Sequence, residues 1–334
     1  MYVLVTGGAG YIGSHTCKML GRSGFQPLVL DDLRRGHRWA VQWGPLVQGD
    51  FGDPVVLAQV FGQYPVQAVI HFAAYAYVGE SMQAPDMYFR NNVVSTLNLL
   101  DAMRTHGVRT IVFSSSCATY GIPHSVPIAE DHSQLPVNPY GESKLMVERL
   151  LQWYGHSFAM PWAALRYFNA GGADPDGELG EDHQPEPHLL PRVLAAAAGQ
   201  LACADIYGTD YPTPDGTAIR DYIHVTDLAS AHVLAMTHLL SGGASGAFNL
   251  GTGVGNSVRE VISIAERITA KPIPVVERPR REGDPPRLVA DASKAATVLQ
   301  WRPQYSELST ILETAWRWHN RNIVPSARPS ADPA

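Results

Sequence analysis

Tyr140 and Lys144 stand four residues apart in NPYGESK, residues 138–144. On a helix that spacing puts both side chains on one face. A phenol beside an ammonium can move protons, because the cation favours the phenolate and draws a phenol pKa, ordinarily about 10, towards neutrality. Alone, the pair also fits a solvated helix face, so it gains meaning only from partners elsewhere. A hydroxyl at the end of a neighbouring strand is one such partner. FSSSCATYG at 113–121 offers Ser116, with Ser115 beside it as the alternative.

A second constellation lies at the start of the chain. TGGAGYIG at 6–13 follows the apolar run YVLV and opens a helical stretch over 11–22. Gly7, Gly10 and Gly13 are spaced three apart, and Gly8, Gly10 and Gly13 satisfy GxGxxG. Such glycines let backbone approach a pyrophosphate, and the helix start supplies amide donors and a favourable dipole. Between a first strand and a first helix the pattern points to a dinucleotide. Asp31 ends the second strand, 18 residues after Gly13. A carboxylate there accepts from ribose hydroxyls and favours NAD over NADP. Arg34 and Arg35 would attract a 2′-phosphate, but the adjacent acids Asp31 and Asp32 disfavour it. With a nicotinamide nearby, Tyr140 would move a proton while hydride moves, and Lys144 would also bind ribose hydroxyls.

The elements that must carry these residues alternate. Strand runs at 2–5, 27–30, 67–72, 109–114 and 162–168 are separated by helical patterns at 11–22, about 86–105 and 140–155. That order predicts an α/β fold, a Rossmann-type doubly wound parallel sheet with a smaller α/β substrate domain. Ligands of such sheets bind beyond the carboxyl ends of the strands. Residues 1–169 are expected to form the dinucleotide domain, with part of 216–240 returning to it. Residues 170–325 are expected to form mainly the substrate domain, with 170–220 as long ordered loops, a helix over 256–270, and a disordered tail at 326–334.

Bulk composition narrows the function classes. Apolar residues make up 45% and charged residues 17%, as in an ordinary globular protein. A net charge of −6 argues against a nucleic-acid surface. Three scattered cysteines give neither a disulfide framework nor zinc spacing, which suggests a reducing, cytoplasmic setting. The thirteen histidines form no HExxH-like pair, so no metal is expected. The chain opens on a strand-like run without a basic leader, and its longest apolar stretch is broken by Pro191, Arg192 and Gly199, so no membrane association is expected.

The conjunction of glycine turn, strand-end serine and YxxxK resembles the extended short-chain dehydrogenase/reductase family along nearly the whole chain. HFAAYAYVGES, LRYFNAGGA, DYPTPDGTAIRDYIHVTDLA, FNLGTGVGNS and RREGDPP are similar to its nucleotide-sugar 4-epimerases. The resemblance implies a bound NAD, transient oxidation at C4 of a UDP-sugar, and return of hydride to the opposite face, interconverting UDP-galactose and UDP-glucose. UDP-N-acetylhexosamines are further implied substrates. Ser116, Tyr140 and Lys144 would be catalytic. Tyr11, Ile12, Asp50, Phe51, Phe72, Ala73, Ala74, Asn91, Ser114 and Phe168 would line the cofactor site with the glycines and Asp31 and Asp32. Arg220 and Arg281 would hold the diphosphate, whose oxygens match guanidinium forks. Asn169 would donate to the diphosphate and Asp284 accept from the uridine ribose. His188, Leu189, Ile206 and Tyr207 would line the uridine and sugar pocket, with Leu288 as its gate.

The resemblance also implies a homodimer through a four-helix bundle of helices 86–105 and 140–155. Leu97, Leu99, Leu100 and Met103, with Leu145, Val147, Leu150 and Leu151, serve core plus interface; periodicity does not separate the two uses. Two departures bear on the sugar. Ala76 stands where the family commonly has a cofactor-contacting lysine, and AAYAYVGES and CATYG are similar to UDP-xylose/UDP-arabinose 4-epimerases. Leu288 replaces the tyrosine of hexose-restricted enzymes. Cys117 and Ala118 occupy the place of the Asp-Glu pair that dehydratases need, which disfavours dehydration and decarboxylation. Retention of Tyr140 and Lys144 disfavours a non-catalytic dinucleotide-binding protein.

Overall fold

A computed structural model describes residues 1–281 and 283–321. The expected tail, 326–334, lies outside the described residues. Six strands arise in the first half: β1 (Tyr2–Thr6), β2 (Gln26–Asp31), β3 (Leu46–Gln48), β4 (Val66–His71), β5 (Thr110–Ser116) and β6 (Trp162–Tyr167). Seven more follow: β7 (Asn169–Gly171), β8 (Ala204–Tyr207), β9 (Ile219–His224), β10 (Gly246–Leu250), β11 (Gly255–Ser257), β12 (Val275–Arg278) and β13 (Arg287–Leu288). The main sheet is parallel and ordered β10-β6-β5-β4-β1-β2-β3. Strand order reverses between β1 and β4, so a crevice opens beyond their carboxyl ends.

The near-continuous apolar strands are buried on both faces, as a parallel sheet requires. Alternation sends Val3 and Val5 to one core and Leu4 to the other. The first core packs under α1 (Tyr11–Arg22) and α8 (Val225–Leu240) through Leu20, Leu228 and Met236. The second packs under α2 (Pro54–Gln63), α5 (Ser95–Thr105) and α6 (Pro139–Phe158) through Leu57, Leu99, Leu100, Met103, Val147 and Leu151.

The predicted continuous helix over 86–105 is a composite. After the short α3 (Val78–Gln83) and α4 (Pro85–Tyr88), a π-helical turn at Phe89–Val94 leads into α5. Polar side chains hold the widened turn. The Asn92 amide accepts from Tyr75 N at 2.9 Å and donates to Tyr75 O and to Ser143 Oγ, each at 3.0 Å. The segment expected to return over 216–240 extends further, because β10 joins the main sheet beside β6. Residues 170–220 are not loops throughout: they contain β7, β8, part of β9 and α7 (Leu189–Ala197). Apolar spacing in α7 is masked in sequence by the surrounding Pro and Gly residues.

In the second half, α7, α9 (Val258–Thr269) and α11 (Leu308–Arg321) share a core through Leu194, Val261 and Ile311. A capping box starts α9, with Ser257 and Glu260 satisfying each other's backbone amides. The short α10 (Ser293–Val298) packs Ala295 against the first core instead. Among the described residues no helix is long and apolar enough to cross a membrane.

Candidate active site

The crevice beyond β1 and β4 is a cleft of about 1420 Å³ between the two halves. A single drug-sized ligand usually occupies less than about 1,000 Å³, so this cleft has room for two. Its floor begins at the glycine turn. Gly7 has φ +73°, and a Cβ there would lie 2.6 Å from Ala73 N. A Cβ at Gly13 would lie 2.2 Å from Gly7 O, so only glycine allows α1 to start this close to β1. Gly10 is the N-cap of α1 and offers no side-chain cap, leaving the helix start bare towards the cleft. Tyr11 bridges the halves, its hydroxyl donating to Gly172 O at 2.6 Å.

Asp31 is buried at the end of β2. Its carboxylate accepts from Ala9 N at 3.0 Å and Leu33 N at 2.9 Å, which fixes its direction. Both neighbouring arginines are committed elsewhere. Arg34 pairs with Asp32 and Asp50, each at 2.8 Å, and Arg35 pairs with Glu80 at 2.6 Å. The Arg35 guanidinium lies 5.0 and 4.6 Å from the ring centres of Tyr75 and Tyr77, which flank Ala76 in the cleft wall.

The strand-end serines divide by alternation. Ser114 and Ser116 face the cleft. Ser115 points away, donating to Glu148 Oε1 at 2.5 Å. Glu148 in turn makes a buried ion pair with Arg166 at 2.6 Å. The two serines left open by sequence are thus distinguished, and Ser116 is the one in the cleft. Its hydroxyl also accepts from Ala118 N at 3.1 Å.

Tyr140 and Lys144 rise from the first turns of α6. Asn138 caps that helix by accepting from Gly141 N at 2.8 Å, and Pro139 pre-sets its first turn. Lys144 Nζ lies 5.8 Å from the centre of the Tyr140 ring and donates to Ser114 O at 2.7 Å. In the protein alone the phenol is not activated. Burial pushes Tyr140 up to about 12, and the nearby Ser116 hydroxyl only partly opposes this. Burial likewise pulls Lys144 down to about 7, against the attraction of Glu148. The expected fall of the tyrosine pKa therefore needs positive charge beyond what the lysine provides here.

At the far end, Arg220 donates to Asp284 and to Ile219 O, and the Arg281 guanidinium lies 4.0 Å from the Tyr207 ring centre. Gly7, Gly10, Tyr11, Ile12, Gly13, Asp31, Asp32, Phe51, Phe72, Ala73, Ala74, Asn91 and Phe168 all border the cleft. So do Asn169, His188, Leu189, Tyr207, Arg220, Arg281, Asp284 and Leu288. Two expected residues do not. Asp50 is turned to Arg34 and Gly52 N. Ile206 is buried in the second-half core, while its β8 neighbours Ala204, Asp205 and Tyr207 border the cleft. Sequence reasoning missed Tyr167, which shares a short hydrogen bond with Ser114, and Tyr75, Tyr77, Glu181 and His183. Tyr167 carried a usable signal, since it closes the strand WAALRY beside β5; the others are gathered from distant loops.

Comparisons with known proteins agree with this geometry. Residues 3–251 match the model of the NAD dependent epimerase/dehydratase family. A UDP-glucose 4-epimerase of Halalkalibacterium halodurans is 50% identical over 96% of each chain. The crystal structure of UDP-glucose 4-epimerase from Brucella ovis in complex with NAD superposes with a TM-score of 0.93 and 54% identity, covering 95% of this chain and 97% of that one. The epimerase from Stenotrophomonas maltophila, solved with bound NAD and formylated UDP-arabinopyranose, gives 0.94 and 40%, covering 98% and 100%. Matched by the family model through both the glycine turn and the Tyr140–Lys144 wall, the chain belongs to the NAD-dependent epimerase/dehydratase family.

Proposed function

We propose that this protein is an NAD-dependent 4-epimerase of UDP-sugars that interconverts UDP-galactose and UDP-glucose. The observation that carries this is that Ser116, Tyr140 and Lys144 line the same cleft as the glycine turn and as Arg220, Arg281 and Asp284. The uncapped start of α1 and the oriented Asp31 suit NAD. Arg34 and Arg35, bound to carboxylates, do not offer a site for a 2′-phosphate. When bound, NAD supplies a reversible two-electron oxidation at C4 of the sugar.

The chain's own residues supply the rest. Tyr140 takes the proton of the 4-hydroxyl and returns it, while Ser116 hydrogen-bonds the same oxygen. Lys144 binds the nicotinamide ribose and, with the charge of the oxidised cofactor, offsets the burial that holds the Tyr140 phenol up. Arg220 and Arg281 grip the diphosphate with help from Asn169. Asp284 exchanges part of its bond to Arg220 for the uridine ribose. The cleft's volume of about 1420 Å³ leaves the 4-keto sugar room to turn over, so that hydride and the Tyr140 proton return to a C4–O group presenting its opposite face and C4 is inverted.

Residues 1–169 with the returning strand and helix serve the cofactor, and 170–321 mainly the UDP-sugar. The outer faces of α5 and α6 support a homodimer reading. Leu99, Leu100, Met103, Leu145, Val147 and Leu151 are consumed by the core. Val94, Leu97, Met146 and Trp153 stay exposed and suit a four-helix interface. Three free cysteines fit a cytoplasmic setting.

The test is to supply UDP-galactose to the purified protein without added cofactor and to look for UDP-glucose by chromatography. No product, even after NAD is added, would remove the hexose reading. UDP-xylose/UDP-arabinose epimerisation would then lead, as Ala76 and the ligand of the Stenotrophomonas relative suggest. Leu288 in the cleft wall supports an additional activity on UDP-N-acetylhexosamines.

A further inference from the structure

Glu181, His183, Glu186 and His188 lie in one proline-rich segment of EDHQPEPH at the edge of the cleft. Their ligand-type atoms all fall within 4.8 Å of one another. His183 Nδ1 is 3.2 Å from Glu181 Oε1 and 3.3 Å from Glu186 Oε2. His188 Nδ1 is 2.9 Å from Glu181 Oε1 and 2.7 Å from Glu186 Oε1. Both imidazoles thus aim the same nitrogen at the same two carboxylates.

Hydrogen bonding does not account for this arrangement. Two Nδ1 atoms carry at most two protons, yet four short N···O approaches converge. Glu186 takes both proper hydrogen bonds, from His183 and His188. The Glu181 side chain is 91% buried, with 9% exposed, and aims into the cluster without hydrogen-bond geometry to either ring. Among the described residues no lysine or arginine pairs with Glu181 or Glu186. A second acidic group differs on this point. Asp174, Asp176 and Glu178 enclose the Lys18 ammonium at 2.6, 2.9 and 2.6 Å, so they already hold their cation.

We propose that Glu181, His183, Glu186 and His188 form a binding site for a divalent transition-metal ion of the zinc class, which pins the 181–188 segment along the cleft. Imidazole nitrogen and carboxylate oxygen are the usual N/O donors for zinc, at about 2.0–2.2 Å. A tetrahedron of such bonds has edges of about 3.3 Å, close to the four separations seen here. Two carboxylates balance the ion's charge. Binding displaces the two imidazole protons, so affinity rises with pH.

The site would fix residues that matter to the cleft without taking part in the sugar chemistry. His188 is the N-cap of α7, whose first residue is Leu189. The His183 ring stands edge-on to Tyr11 and Tyr77, with centres 6.2 and 6.1 Å away. Sequence reasoning passed over the cluster because E-x-H-x-x-E-x-H has no helical ligand spacing.

The test uses the full chain, stripped with a chelator and titrated calorimetrically with ZnCl2, then separately with Co2+ monitored by visible absorption. One equivalent per chain is expected, with the intense spectrum of four-coordinate Co2+. Glu181→Gln and His183→Gln should each weaken Zn2+ binding by at least about 100-fold, since even residues behind the ligands are worth 10- to 100-fold. Circular dichroism and a cooperative thermal transition establish that the variants are folded, and either folded variant suffices. Failure of the wild-type protein to bind, a weak six-coordinate Co2+ spectrum, or equal Zn2+ affinity in wild type and a folded variant would overturn the proposal.

Discussion

Ser116 reaches the cleft because β5 alternates, and Arg220 reaches it because β9 does; what holds the surrounding backbone differs between the two halves. In the dinucleotide half, parallel strands and two helical layers carry the strand ends, and buried polar pairs such as Asn92 with Ser143 and Glu148 with Arg166 tie one regular element to another. In the other half, buried carboxylates gather loops. Asp221 accepts from Thr252 N, Thr252 Oγ1, Gly253 N and Ala290 N at 2.8, 2.8, 3.0 and 3.1 Å. Asp227, on the returning helix α8, gathers second-half backbone in the same way, accepting from Gln304 N, Tyr305 N and Ser306 Oγ at 2.9, 2.9 and 2.6 Å. One half positions chemistry by repetition of backbone geometry, the other by a few irreplaceable acceptors.

The largest effect should come from the half where a single atom carries the chemistry. Tyr140→Phe removes the proton acceptor while leaving the sheet untouched. Turnover should fall by about 10²–10⁴-fold, the range for a positioned acid–base group, with bound NAD and the thermal midpoint nearly unchanged. Turnover near that of the wild type would remove Tyr140 from its proposed role.

Next in size is the loss of a gathering carboxylate. Asp221→Ala leaves four donors without their acceptor in the interior. Charge-assisted bonds contribute about 1.5–3 kcal/mol each and do not add fully, so urea denaturation should show a loss of about 3–5 kcal/mol. Hydrogen exchange should rise first at 252–253 and 290, not in β1 or β4. Uniform loosening of both halves would erase the distinction drawn here.

Acid should act the other way, on the sheet. Burial holds His15 and His232 down at about 4, and His71 and His224 at about 3. Their folded values lie below the unfolded value near 6.5, so the unfolded chain takes up these protons first. Stability is full above pH 6.5 and falls below it, by up to about 1.4 kcal/mol per pH unit for each histidine. Three of the four, His15, His71 and His232, flank the main sheet. Thermal midpoints between pH 7 and 5 should therefore drop steeply, and a flat profile would contradict the neutral, buried assignment.

The smallest change concerns selectivity. Leu288→Tyr narrows the sugar end of the cleft. Activity on UDP-N-acetylhexosamines should fall about tenfold more than activity on UDP-galactose, the scale on which a pocket discriminates by size. Equal losses on both substrates would discharge Leu288 as the gate.

The same contrast explains what could be read from sequence. Glycine spacing, strand alternation and Asp31 are local patterns, and the residues they single out border the cleft. Tyr140, Lys144 and Ser116 were legible because each sits at a fixed place relative to a strand end or helix start. The π turn was not, since Asn92 widens the helix only through Tyr75 and Ser143, far away in the chain. The burial of Ile206 in the second-half core was not legible, since the resemblance named the residue without saying what its side chain packs against. The Glu181–His188 cluster depends on a loop's path, which no periodicity announces.

The widened turn at Phe89–Val94 also bears on how this gene can change length. A π turn holds one residue more than the α-helix around it. Deleting a residue there would restore a regular helix and leave everything after it on the same face. Leu99, Leu100 and Met103 would stay in the core together. A one-codon deletion between 89 and 94 should thus be far better tolerated than one within α5, where nothing absorbs the roughly 100° that a lost residue turns the helix, and the widened turn becomes the place where this helix can change length without losing its face.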